Sequence, residues 1–474
     1  MKPVCPPLLI VLYTLVACAS VPTPAAQSTA VASPAPIAIT VGAPTDAAIQ
    51  NLLGVNIGPA PAGNNPNNQN LSQVYAQLNV NLIRTHDFYG PLDMAVMYPD
   101  RTRDPADPRS YAFAQSDEMW RAIVGAGSQP YFRLGDSWNN AKPPTNAQER
   151  ANWVKAAVAV VRHYRATDWG VRYASKLTYV EIWNEPDHQQ FWPKPRTPQE
   201  YYQLYAETAR ALKQEFPELK IGGPGLTPAG ALTPQGNQWA RNFLDYVKQH
   251  NAPLDFISWH MYSNNPNDWV TAAQFYRGQL DARGFTTTTQ HVTEWNTDTK
   301  QSDANNAEAI ALRTKSKGAA ILTAAWIAMQ QNGIAVSTFY RGPDPAMDAP
   351  SFYGMFYANG KPKKVALAFW LWARLVEHSK RLNLTATPNS PLWVLAGQNT
   401  SGEIAILIAN PSSTAMRYTI AGIVPRTATI LRVDDSIPEF PLSYPLGDQI
   451  SKTQFTGNPI TLDAYTTQLV LLNP

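Results

Sequence analysis

The sequence predicts a (β/α)8 barrel followed by a small β-sandwich, and three observations predict it. Short apolar runs recur eight times between residues 52 and 340, separated by stretches of helical period, which is the alternation of a closed parallel sheet. Two of those runs end in a glutamate flanked by tryptophan and asparagine, so their carboxyl ends carry chemistry on what a barrel makes one face. Beyond residue 380 the texture changes to short apolar runs divided by Asn, Pro, Gly and Ser, the pattern of antiparallel β structure.

The bulk composition allows this size of fold. The chain has 474 residues, 44% hydrophobic against 15% charged, enough for one large domain and a smaller one. A net charge of +3 gives no ground for a nucleic-acid partner. The 14 Trp exceed what a core requires, and aromatic rings are the apolar platforms of sugar-binding clefts.

Residues 1–18 read as a targeting segment. Lys2 is a minimal positive start, and Leu8–Val16 is apolar but too short to span a bilayer. Leu15-Val16-Ala17-Cys18 resembles a bacterial lipobox, in which Cys18 is acylated and becomes the new N-terminus. The alternative is an ordinary signal peptide cut near Ala17 or Ala19. With the lipobox, Cys5 is removed and the mature chain has no disulfide. Membrane attachment through the lipid anchor follows, and Ala19 in place of Asp resembles lipoproteins sorted to the outer membrane. Residues 19–45, rich in Ala, Pro, Ser and Thr, read as a disordered tether.

The barrel strands are expected at Leu52–Ile57, Leu82–Phe88, Gln129–Leu134, Leu177–Glu185, Leu219–Gly223, Phe256–Tyr262, Gln290–Glu294 and Val336–Tyr340, with Asn64–Asn70 a polar loop. Helices are expected over Asn146–Arg165 and Pro198–Glu215. Val365–Glu377, apolar on a broad face, closes the catalytic domain of residues 46–380. Gly222-Gly223-Pro224-Gly225 has no phosphate-loop spacing and reads as a turn. Residues 381–474 carry runs at Leu392–Ala396, Ile404–Ala409, Arg417–Ile420, Ala428–Val433 and Gln468–Leu472, and a strand near Ile37–Val41 is a candidate to complete them. Packing against the barrel is the expected role of this accessory domain.

The chemistry sits at two strand ends. In Leu177–Trp192 the apolar run stops at Pro186, which has no N–H for a sheet ladder, leaving Asn184 and Glu185 at the carboxyl end. A carboxyl beside large aromatics has a raised pKa, the setting of a general acid at neutral pH. Glu294, in Thr293-Glu294-Trp295-Asn296, ends a second strand. Two such glutamates point to glycoside hydrolysis, where one carboxyl protonates the leaving oxygen and the other meets the oxocarbenium ion. The 7 His are scattered, and HExxH, paired CxxC, GxGxxG and G-x-S-x-G patterns are absent from the sequence, so no metal and no cofactor are implied.

Trp183–Pro186 (WNEP) with Thr293–Asn296 (TEWN) resembles the clan of retaining β-glycosidases built on (β/α)8 barrels. WNEPD followed by Phe191-Trp192, together with Ser258–Ser263 (SWHMYS), is most similar to glycoside hydrolase family 39, whose members include β-xylosidases, α-L-iduronidase and exopolysaccharide-associated bacterial enzymes. The resemblance covers roughly residues 48–380. It implies Glu185 as acid/base and Glu294 as nucleophile, about 5 Å apart, with Asn184 on the sugar 2-OH, His260 near the acid and Tyr262 against the nucleophile.

Arg84 is placed to keep Glu294 charged and His86 to bind a sugar hydroxyl; the rival reading is a structural pair of Arg84 with Asp87 or another acid. Trp192, Phe191, Trp259, Trp295 and Tyr340 are candidate sugar platforms, with Trp138 and Asn139 at the far end. The expected partner is a polysaccharide or oligosaccharide, cut internally in an exopolysaccharide. The alternatives are an exo-acting β-xylosidase or a binding component of polysaccharide secretion machinery.

Overall fold

The computed structural model describes residues 35–59, 70–88, 90–166, 169, 177–298, 306–346, 351–422, 428–439, 445–455 and 457–473. The targeting segment with Cys18, the tether up to residue 34, and residues 64–69 of the polar loop lie outside the described residues.

The chain enters through β1 (Ile37–Ala48), so the last part of the stretch assigned above to a tether is a folded strand. The barrel follows as β2 (Gly54–Asn56), β3 (Leu82–Arg84), β4 (Gln129–Leu134), β5 (Tyr179–Ile182), β6 (Lys220–Leu226), β7 (Phe256–Tyr262), β8 (Thr289–Asn296) and β9 (Ile334–Phe339). All eight neighbours pair in parallel and β9 closes on β2. Each strand overlaps one of the eight apolar runs, and the helices Ala147–Ala166, Pro198–Glu215 and Lys364–Val376 lie within a residue of expectation. Thr197 starts the second of these helices in a reciprocal capping box with Glu200, and Pro198 occupies its first turn.

The Gly-Gly-Pro-Gly segment is part of β6, not a turn. A Cβ on Gly222 would stand 2.1 Å from the Phe256 carbonyl oxygen, so β6 and β7 approach this closely only because residue 222 is glycine.

The remaining strands are β10 (Lys380–Ala386), β11 (Trp393–Gln398), β12 (Ile404–Asn410), β13 (Met416–Ala421), β14 (Ala428–Val433), β15 (Ser451–Gln454), β16 (Ile460–Leu462) and β17 (Thr466–Leu472). With β1 they form one curled sheet in the order β15-β14-β17-β12-β11-β10-β1-β13-β16, antiparallel except where β1 meets β13. Curling brings β13 back over β17, where Tyr418 donates to Gln468 Oε1 at 2.8 Å.

Both faces of β12 are buried, which is why IAILIA lacks polar alternation. Ala405, Leu407 and Ala409 join the barrel core, whereas Ile406 and Ile408 join a second core with Ile39, Val394, Tyr418 and Val470. Among the described residues no helix is long and apolar enough to cross a membrane.

Because β1 sits between β10 and β13 with Ile39 fully buried, Ile39→Ala is expected to cost roughly 2–5 kcal/mol. Thermal unfolding followed by circular dichroism measures it; an unchanged midpoint would show that β1 adds nothing to the sheet.

Candidate active site

Strand ends on one face of the barrel bring the two glutamates together. β8 carries Glu294 inward and Trp295 outward, as its period of two requires. A register shift between Trp259 and His260 sets His260 beside Glu294 across the β7–β8 ladder. After β5 the backbone turns sharply, with Trp183 at φ 77° and Glu185 at φ 43°. These left-handed conformations cost about 1–3 kcal/mol each in a side-chain-bearing residue. Trp183 N–H donates to the Leu134 carbonyl (2.6 Å) and Glu185 N–H to the Gly225 carbonyl (3.0 Å), fixing the turn. Gly225 is itself at φ 64°, and a Cβ there would stand 3.2 Å from His260 Nε2. The strain positions the Glu185 carboxyl over the barrel mouth.

An oxygen of Glu185, an oxygen of Glu294 and a His260 ring nitrogen lie within 4.8 Å of one another. His260 Nδ1 is 2.7 Å from Glu185 Oε1 and 3.6 Å from Glu294 Oε2. Tyr262 donates to Glu294 Oε2 at 2.8 Å, and Arg84 Nη1 donates to Glu294 Oε1 at 2.8 Å. His86 Nε2 lies 3.3 Å from that same oxygen. The spacing of the three groups would suit a metal ion, but the guanidinium already supplies positive charge to Glu294.

Arg84 is fully buried and pairs with Glu294 as expected and also with another acid, Glu181, rather than with Asp87. Its Nε donates to Glu181 Oε2 (2.7 Å), its Nη2 to Asn184 Oδ1 (2.6 Å), and its Nη1 to Asn56 Oδ1 (3.1 Å) as well as to Glu294. Glu181, also fully buried, accepts from Thr293 Oγ1 at 2.8 Å. Asn56 and Glu181 were not singled out from the sequence. A signal existed for Glu181: it lies four residues before Glu185, an acid inside the apolar run YVEI. Asn184 is 1% exposed, and its Nδ2 has no partner among the described residues, a donor left for a ligand at the cleft.

The two carboxyls differ electrostatically. Burial pushes Glu185 well above the usual carboxylate range, reinforced by the Asp187 carboxylate and opposed by Arg84. Burial also raises Glu294, but His260 and Arg84 pull it back. Burial lowers His260, opposed by the nearby Glu294 carboxyl. Burial and the Arg84 and Arg133 charges lower His86 well below its ordinary value. A carboxyl raised far above its ordinary range thus faces one raised less, an asymmetry that suits one to protonate and the other to attack at an acetal carbon.

A cleft of about 350 Å³ opens over this pair, floored by Asn184, Glu185, Glu294, His86 and Asp87. Its walls are aromatic: Trp138, Phe191, Tyr262, Tyr340, Phe352 and Tyr353. Trp138 is 51% exposed at the rim, edge-on to Phe191 with ring centres 5.6 Å apart. Asn139 accepts from Gln190 Nε2 at 2.9 Å, joining two rim loops.

Three expected platforms are elsewhere. Trp259 and Trp295 alternate outward from His260 and Glu294 and are fully buried, against Tyr276 and against Trp372 respectively. Trp192 packs edge-on to Trp183 and donates to the Thr197 carbonyl at 2.9 Å, so its ring serves the core, and Phe191 faces the cleft instead. Phe352 and Tyr353 come from an irregular segment, for which no periodicity gave a signal.

A closed parallel barrel with facing glutamates on its strand ends defines the two-carboxylate class of barrel glycosidases. Residues 53–309 match the family described as Glycosyl hydrolases family 39, and the chain belongs to that family. It is 28% identical over 203 residues to a β-xylosidase of Geobacillus stearothermophilus, covering 39% of this chain and 37% of the relative. It is 26% identical over 231 residues to a β-xylosidase of Caldicellulosiruptor saccharolyticus, covering 44% and 43%. The matches thus span well under half the length of these relatives. The crystal structure of a glucosidase from Croceicoccus marinus shares the fold with a TM-score of 0.72 at 24% identity, covering 93% of this chain and all of that one.

Glu181 is among the charges that raise Glu185, so Glu181→Gln is expected to lower the Glu185 pKa. A carbon-13 NMR titration of the carboxyl resonances measures it; an unchanged or higher value would contradict the arrangement.

Proposed function

We propose that the protein is a retaining glycosidase that hydrolyses a polysaccharide or oligosaccharide by double displacement. The carrying observation is the pair of carboxyl oxygens within 4.8 Å, inside the spacing of retaining enzymes and short of the roughly 6.5–9.5 Å that admits a water in inverting ones. Glu185 gives its proton to the glycosidic oxygen as the C–O bond breaks, and Glu294 attacks the anomeric carbon to form a glycosyl ester. Glu185, now a carboxylate, takes a proton from water, which attacks the same carbon and releases Glu294. Two inversions retain configuration. Tyr262 and Arg84 hold both Glu294 oxygens, and the free Asn184 Nδ2 is the donor for a hydroxyl beside the anomeric carbon.

Similarity to two β-xylosidases supports exo-cleavage of xylose units. The half-exposed Trp138 ring at the rim supports binding of further units and hence endo-cleavage, which we assign to an exopolysaccharide of the cell envelope. Sizing the products separates these: an oligosaccharide ladder for endo, monosaccharide alone for exo. Tight binding without turnover would return the cleft to a binding component of a secretion machine. The envelope location rests on Leu15–Cys18.

Glu294→Gln is expected to lose turnover by roughly 10⁴-fold or more with folding intact. Glu185→Gln is expected to lose about 10²- to 10⁴-fold on unactivated substrates. Activity in wild type should fall as pH rises through the Glu185 pKa, which must stay protonated, and fall as pH drops through that of Glu294, which must be ionised. Steady-state pH profiles check this, and a basic limb that survives in Glu185→Gln would remove Glu185 from the acid role.

Cys18→Ser is expected to abolish incorporation of a palmitate analogue and release the protein from membranes on fractionation. Equal labelling of both proteins would exclude the anchor.

A further inference from the structure

Asp87 belongs to no step of the displacement, yet its carboxylate lies in the floor of the cleft beside the reacting pair. It is held rigidly and by neutral donors. Tyr340 donates to Oδ2 at 2.6 Å and Trp138 N–H to Oδ1 at 3.2 Å, and His86 Nε2 lies 3.3 Å from Oδ1. Its own N–H donates to Ser137 Oγ (3.0 Å), which is tied to the buried Arg133–Asp93 pair through Asp93 Oδ1 (2.8 Å). Among the described residues no lysine or arginine pairs with it. A carboxylate offers about four acceptor sites and no donor, so the Asp87 oxygens retain capacity toward the cleft that a sugar O–H can meet in place of water.

Among the described residues the cleft lining has no counterpart for an anionic sugar. Recognition of a uronic acid needs a cation or a set of N–H donors facing its carboxylate. Arg84 is the guanidinium under the floor, and its Nε, Nη1 and Nη2 are committed to Glu181, Asn56, Glu294 and Asn184. Arg341 is 2% exposed beneath Phe352 and does not line the cleft. A uronate seated here would face Asp87 and Glu294 together at close range, where like charges are strongly disfavoured.

We propose that Asp87 is a specificity-determining residue that accepts from hydroxyls of the reacting sugar and restricts the enzyme to neutral glycones, excluding uronic acids. This rests on the glycosidase reading above and names its substrate class. Asn184 Nδ2 supplies the complementary donor in the same floor, so the reacting sugar is read by one acceptor-only and one donor group.

The test compares kcat/KM on aryl β-xylosides, β-glucosides and β-glucuronides, with monodeoxy analogues of the best neutral substrate. Asp87 is at φ 56°, a conformation that asparagine tolerates best after glycine, so Asp87→Asn is the variant of choice. Each enzyme is assayed at its own pH optimum, because the charge change also acts on the two glutamates.

Wild type is expected to cleave a neutral glycoside and not the glucuronide, and to lose about 10- to 100-fold on the analogue lacking the hydroxyl that Asp87 binds. Asp87→Asn should lose a similar factor on the intact sugar and little more on that analogue. If the variant fails to fold, the wild-type deoxy series decides alone. Wild-type cleavage of the glucuronide at or above the neutral rate, abolished by Glu294→Gln, overturns the inference while leaving the glycosidase intact. Equal losses by Asp87→Asn on every substrate also overturn it. Cleavage of neither class, where polysaccharide is not cut either, overturns the glycosidase reading itself.

Discussion

The site depends on one buried cation. A guanidinium without solvent costs several kcal/mol unless its charge and its N–H groups are matched. Arg84 is matched by Glu181, Glu294, Asn56 and Asn184, which come from β5, β8, β2 and the turn after β5. Four of the barrel's strand ends are therefore registered to one another through a single side chain. Glu181 matters as much as the nucleophile here. In the proposed displacement Glu294 becomes a neutral ester while Arg84 keeps an ionic partner in Glu181, so the intermediate would not strand a buried charge.

The same balance explains how two similar carboxyls take different roles. Glu294 has Arg84 on one oxygen and Tyr262 on the other, whereas Glu185 has the His260 ring within reach and Asp187 nearby. In the proposed reaction one negative charge passes from Glu294 to Glu185 while positive charge develops on the sugar between them. The carboxylates Glu181 and Asp87 stay fixed throughout. The oxocarbenium ion thus forms in a preorganised negative field that need not rearrange.

Much of this was legible in the sequence because barrels put chemistry at strand ends. The eight apolar runs gave the barrel, but β5 ends at Ile182, earlier than the end at Glu185 expected from the Pro186 stop, because the backbone turns left-handed at Trp183. Parity along a strand was the underused signal: it groups Glu181 with Glu185 and His260 with Tyr262, and it sends Trp259 and Trp295 away from the cleft. Phe352 and Tyr353 could not be found this way, since an irregular segment carries no period, and the left-handed turn at Trp183–Glu185 is set by contacts to β4 and to Gly225 that no local pattern reveals.

The accessory sheet is best understood through what it touches. Among the described residues the well-exposed large apolar side chains are Trp138 and Leu232, both in the barrel, and none lies in the described part of the sheet. Its inner face covers the helices Ser316–Gln331 and Lys364–Val376, which would otherwise expose apolar surface. From β17, Thr467 Oγ1 donates to Thr323 Oγ1 (3.2 Å), which accepts from Trp372 Nε1 (3.1 Å). Trp372 stacks on Trp295, the outward neighbour of Glu294. The nucleophile's strand is therefore wedged from behind by a tryptophan whose own position the sheet secures. A well-packed outward face leaves Trp295 no room to rock, and a strand that cannot rock holds its inward carboxylate at a fixed distance from Glu185.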